Sequence, residues 1–134
     1  MKNILKSISL LSIIFTLASC EKDAGKLPNI SFNSGAGYIS SNTTVPKGSP
    51  IKIGIIASKA EDKDVLKKFN VTQTLNGTKS TLYDIELYSS NQDNYNYTFE
   101  QTMDTVAGKS VNYIFTVTNR DGLTNNVSLT VTTQ

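Results

Sequence analysis

The chain has no histidine and no tryptophan, a single cysteine, and three prolines in 134 residues. Each shortage excludes something. Without histidine, the usual Ser–His and Cys–His nucleophile pairs cannot form. With one cysteine, no disulfide can close within the chain, so an apolar core must hold any fold alone. No run of about 20 apolar residues is present, so no spanning helix is predicted. Basic and acidic residues are nearly balanced, 13 against 11, and no basic cluster stands out. Nucleic-acid binding, which rests on many Lys/Arg–phosphate contacts, is therefore not expected.

What is present starts at the N-terminus. Lys2 and Lys6 form a short basic region, and Ile8 to Leu17 is an apolar run broken only by Ser9, Ser12 and Thr16. That is the pattern of a cleavable signal segment, residues 1–19, to be left out of fold reasoning. It ends Leu17-Ala18-Ser19-Cys20. Residues 18 and 19 are small, and Cys20 carries a thiol nucleophile. These residues resemble the lipobox of bacterial lipoproteins. The resemblance implies lipidation at Cys20 and a membrane as partner through the acyl chains, two or more of which make a stable anchor. Glu21 to Lys26 reads as a charged tether, so residues 20–26 are the lipidated cysteine and its linker. It also resembles the export signals of Bacteroidota lipoproteins. That implies a place in the cell envelope, at the outer membrane and open to surface exposure.

About 115 residues remain after cleavage, enough for one domain, expected over residues 27–134. Leu27 to Phe32 reads as an edge strand with Pro28 at its start. Tyr38 to Val45 suggests a second short edge segment. Ile51, Ile53, Ile55 and Ala57 alternate along the strongest strand, so their face is core. Ser58-Lys59-Ala60-Glu61 is a capping-box pattern. With Asp62 and Asp64 following and Val65, Leu66 and Phe69 able to pin one side, it predicts a short helix over Ala60 to Lys68. Asn70 to Leu75 and Lys79 to Leu87 are strands joined at Asn76-Gly77, a hairpin signal because both residues tolerate positive φ. Tyr95, Tyr97 and Phe99 alternate on the next strand. Val111, Tyr113, Phe115 and Val117 do so on another, and Val127, Leu129 and Val131 on the last. About seven strands with closely spaced turns predict an all-β sandwich carrying one short helical turn between two early strands.

Gly108 to Gly122 reads G-K-S-V-N-Y-I-F-T-V-T-N-R-D-G and leads into the alternating final strand. It resembles the F–G hairpin of bacterial immunoglobulin-like and PKD-like domains. The resemblance places Tyr113 at the corner-tyrosine position and Phe115 where antibody domains carry a cysteine. Lys47-Gly48-Ser49-Pro50 likewise resembles the turn into strand B. Both antibody cysteines and the core tryptophan are missing, and such sandwiches host many functions.

Few residues suggest chemistry. Asp84 and Glu86 share a strand face, but that face is the solvated one, opposite Tyr83 and Ile85. Glu61, Asp62 and Asp64 lack the D-x-D-x-D-G spacing that surrounds calcium with oxygens. They are expected to stabilise the N-terminus of the predicted helix. No metal, no cofactor and no catalytic residue is expected, and the chain is read as no enzyme. Tyr88 and Tyr95 flank the polar loop Ser89–Asn94 and are the candidates for glycan contact, with Asn91 and Gln92 as hydrogen-bonding partners. Asp104-Thr105-Val106 resembles the O-glycosylation motif of exported Bacteroidota proteins, which implies an acceptor at Thr105. The expected function is that of an envelope-anchored binding module for a protein or a polysaccharide. The alternative is a structural or adhesion subunit that assembles through an edge strand near Leu27–Phe32.

Overall fold

A computed structural model describes residues 24–134. The lipobox, Cys20 and most of the tether lie outside the described residues. The rest is an all-β sandwich of eight strands: β1 (Asn29–Asn33), β2 (Thr43–Val45), β3 (Pro50–Ser58), β4 (Leu66–Leu75), β5 (Thr78–Glu86), β6 (Asn94–Thr102), β7 (Ser110–Asn119) and β8 (Thr124–Thr133). One sheet has the order β1-β3-β6 and the other β2-β8-β7-β4-β5. All pairings are antiparallel except β2 with β8.

The alternation expected from the sequence sets the inner faces. Ile51, Ile53, Ile55 and Ala57 of β3 are buried, as are Val111, Tyr113, Phe115 and Val117 of β7. Leu129 and Val131 of β8 join them in one core. Phe115 lies edge-on to both Phe32 and Phe99, so its ring bridges the two sheets by packing. The β7–β8 pair is the expected hairpin. Tyr113 departs from the corner-tyrosine pattern, since its hydroxyl meets the sulfur of Met103 rather than a backbone carbonyl. Asn76 and Gly77 both take positive φ (52° and 78°) in the two-residue β4–β5 turn, as that pair of residues predicts.

The helix expected over Ala60 to Lys68 is not formed. A single turn closes at Asp64 N–H to Glu61 C=O, and the chain is already strand at Leu66. Leu66 and Phe69 are both fully buried, but the three-residue spacing that looks helical comes from a β-bulge. The β4–β7 register shifts between Leu66 and Lys68. The extra residue returns both side chains to the inner face.

Asp64 is not a helix N-terminal charge either. It is 2% exposed and accepts a 2.6 Å hydrogen bond from Asn119 Nδ2. Asn119 Nδ2 also donates to Lys26 C=O, and Asn119 Oδ1 accepts from the N–H groups of Asp121 and Leu123. One buried amide thus ties the tether, the β3–β4 loop and the β7–β8 turn together. The end of the expected tether is docked on the domain.

Candidate interaction surface

Asn119 and its partners place the chain's entry at one end of the sandwich. The loop before β6 is at that same end, because Lys59 N–H bonds Asp93 C=O and Leu66 N–H bonds Gln92 C=O. The Asn76–Gly77 turn, Pro46–Ser49 and Asp104–Lys109 are at the opposite end, away from the tether.

β6 starts at the tether end and runs to the far end, and among the described residues it is paired on one side only, with β3. The Lys59–Asp93 and Met103–Ser49 backbone bonds flank this ladder and fix its phase. Odd-numbered β6 residues turn their N–H and C=O toward β3. Asn94, Asn96, Thr98, Glu100 and Thr102 turn theirs to the open edge. The inward side chains of β6 join a tyrosine seam. Tyr83 of β5 stacks on Tyr97 at 4.9 Å between ring centroids, and both pack on Phe69. Tyr95 sits 5.1 Å from Phe69. Tyr83 and Tyr97 remain half-buried along the flank between the β5 and β6 edges. Burial raises the pKa of Tyr95, with further contributions from Tyr83 and Tyr97, and burial raises those of Tyr97 and Tyr113 as well.

Two clefts meet at the far end of β6. One, of about 500 Å³, lies on the outer face between Ile39, Pro50, Lys52, Glu100 and Thr102. Lys52 pairs with Glu100 at 3.2 Å and sits over the Tyr38 ring. The other, of about 240 Å³, opens between the sheets at Gln73, Leu75, Met103 and Tyr113. Sequence reading missed both, because they arise where the 34–42 loop and the strand ends converge, which no local pattern encodes.

The glycan candidates do not form one platform. Tyr88 is 67% exposed, but Tyr95 is only 9% exposed and belongs to the core. The reason is alternation: Tyr95 shares the inward phase of Tyr97 and Phe99, so the flanking loop does not free it. Gln92 uses its amide on Leu87 C=O and its backbone C=O on Leu66, so it serves the loop's own structure. Asn91 lies in the exposed 3-10 turn Ser89–Asn91 beside Tyr88, with its backbone N–H on Tyr88 C=O. Asp84 and Glu86 face solvent as expected, with Asp84 paired to Lys68. Thr105 is exposed at the far end. Its neighbour Asp104 is held below the usual carboxylate range by the Lys109 ammonium at 2.8 Å and by the Val106 N–H. Among the described residues, no three His, Cys, Asp or Glu side chains gather as a metal-binding group.

No protein-family model matches the chain, and no curated protein matches its sequence. Solved structures do share its fold. The superoxide reductase (neelaredoxin) of Ignicoccus hospitalis superposes with a TM-score of 0.53 at 10% identity, over 81% of each chain. A variant of that protein gives 0.52 at 9% identity, over 81% of this chain and 80% of the other. The CARDB domain of a Pyrococcus furiosus protein gives 0.48 at 14% identity, over 81% of this chain and 99% of the other.

This likeness corrects the expectation that the chain is no enzyme. A superoxide reductase is an enzyme by name and is built on the same fold, so a sandwich of this kind is compatible with catalysis. At 10% identity the likeness shows the fold alone. The lack of histidine removes the usual nucleophile pairs, not enzymatic activity as a class.

Proposed function

We propose that this chain is a bacterial envelope lipoprotein, anchored through Cys20, whose immunoglobulin-like sandwich is an interaction module that engages its partner along β6. The observation that carries the reading is the β6 edge. Along this nine-residue strand, five even-numbered residues turn their backbone N–H and C=O groups to the open edge, beside the half-buried rings of Tyr83 and Tyr97. Backbone pairing supplies affinity in such strand addition, and alternate side chains supply specificity. The edge near Leu27–Phe32, where assembly was expected, is a weaker candidate, because β1 is only five residues long.

A photo-activatable side chain placed at Asn96 in the full-length protein, in intact cells, tests the reading. A cross-linked product from position 96, with none from Ser80 on β5, is the expected result. No product from position 96 would remove the β6 reading.

Tyr88 supports a second reading, glycan contact, since its ring is open to solvent beside Asn91. Binding of the detergent-extracted protein to a polysaccharide panel, lost in Tyr88→Ala, is the corresponding result. Thr105 is proposed as an O-glycosylation acceptor on the strength of its motif and its exposure. Mass spectrometry of the native protein showing an unmodified Thr105 would remove it.

A further inference from the structure

Among the described residues, four strands border open sheet edges: β1, β6, β2 and β5. Three carry the devices that natural sheets use against edge pairing. β1 is five residues long and follows Pro28, and β2 is three residues long. β5 meets a register shift against β4 and bears Lys79, Asp84 and Glu86. β6 carries the fewest of these devices. It runs nine residues as N-Y-N-Y-T-F-E-Q-T, without proline, lysine or register shift, and Glu100 is its one charge.

We infer that the partner of this edge is a second copy of the chain, pairing β6 with β6 in antiparallel register about a two-fold axis at Thr98. The inference rests on the β6 reading above. It commits to a register for three reasons. Thr98 is the midpoint of the strand, so this centre alone pairs all nine residues. The open-edge residues are the even-numbered ones, and this register sets even against even: Thr98 on Thr98, Asn96 on Glu100, Asn94 on Thr102. Each such pair exchanges two backbone hydrogen bonds. Finally, the lone carboxylate of Glu100 meets the amide of Asn96 rather than its own copy, whereas a centre at Glu100 would set like charges opposite one another. On the inner face Tyr97 falls opposite Phe99 of the second copy, an aromatic cross-strand pair. The two three-stranded sheets become one six-stranded sheet, and both β6 edges are covered.

The test uses the full-length, detergent-extracted protein. Sedimentation is expected to show a dimer. Thr98→Cys is expected to form a disulfide-linked dimer absent from the wild type. Hydrogen-bonded partners lie about 5.5 Å apart at Cα, which is within disulfide reach. Glu100→Cys, offset from its own copy, is expected to stay unlinked. Thr98→Pro is expected to weaken dimerisation by about tenfold or more. Its fold should persist, because the Thr98 N–H faces away from β3. Thr98→Lys, which brings two ammonium groups together at the axis, is expected to weaken the dimer without touching the backbone.

A wild type that sediments as a monomer, with Thr98→Cys unlinked, would overturn self-pairing. If the Asn96 photoproduct then contains a different chain, the β6 reading survives while the inference fails. If there is no photoproduct, both fail.

Discussion

Asn119 donates a 2.6 Å hydrogen bond to the Asp64 carboxylate with both side chains almost wholly out of water, at 1% and 2% exposure. A carboxylate in that position is strongly tied to its donors, and the amide is used on both its nitrogen and its oxygen. Removing Asn119 leaves a buried carboxylate oxygen and three backbone groups without this partner, and removing Asp64 takes one of two acceptors from the buried amide nitrogen. Asn119→Ala is therefore expected to cost about 2–4 kcal/mol of folding stability. Asp64→Ala should cost a similar amount, and the double variant less than the sum. Urea unfolding monitored by circular dichroism checks this. Additive single costs would show that the pair is not coupled.

Gly54 has a different constraint. A Cβ built there would lie 2.7 Å from Asn33 Cβ and 2.9 Å from the Tyr38 ring. The 34–42 loop lies against β3 at that point, and Ile39 N–H bonds Lys52 C=O. Gly54→Ala is expected to destabilise the domain by about 1–3 kcal/mol through overpacking. Its thermal midpoint should fall, and Gly54→Ala/Tyr38→Ala should recover part of the loss by making room. No recovery would mean that Asn33, on β1, is the limiting contact.

The bulge in β4 is testable by deletion. Removing Lys67 takes out the extra residue, so Leu66 and Phe69 stand two apart and both still face the core in a regular ladder. The fold is expected to persist with a loss of about 1 kcal/mol, because the Lys67 C=O that accepts from Leu87 N–H is removed. Lys67→Ala keeps the residue count and should be nearly neutral. A loss of about 2–5 kcal/mol on deletion, the cost of taking a large apolar side chain out of a core, would contradict a one-residue bulge at this site.

Three tyrosines set an alkaline limit. Tyr95, Tyr97 and Tyr113 have pKa values raised by burial, so the folded state favours their neutral form. Their contribution to stability is complete below the ordinary tyrosine pKa of about 10 and is lost as pH rises toward the folded values. Tyrosinate absorbance followed from pH 9 upward should show these rings ionising late and together with unfolding. Ionisation of all six at their ordinary pKa while the fold persists would contradict their burial.

The proposed lipid anchor has a direct check. Cys20→Ala should move the protein from the membrane fraction to the soluble fraction. Unchanged membrane retention would contradict the anchor.

Much of the fold was legible because burial in an antiparallel sheet leaves a period-two trace. The inward phases of β3, β7 and β8 and the Asn76-Gly77 turn follow from residues within a few positions of each other. The helix expected at Ala60 to Lys68 failed for the converse reason. Local capping and i, i+3 signals are weak, and they lost to pairing with β7, which lies some 50 residues away and accepts a bulge at low cost. Tyr95 shows the same competition in the candidate site. Its loop neighbours suggest exposure, but its phase with Tyr97 and Phe99 buries it.

The sequence by itself determined the all-β class, the faces of the main strands, the turn chemistry and the absence of disulfides. All of these are properties of short windows or of composition. Only the tertiary structure decided that Asp64 points inward, that the tether's end is docked, that two clefts open at the far end and that β6 is left as an edge. Which strand lies beside which is set by packing two sheets around one core, and an open edge is defined by the strand that is not there.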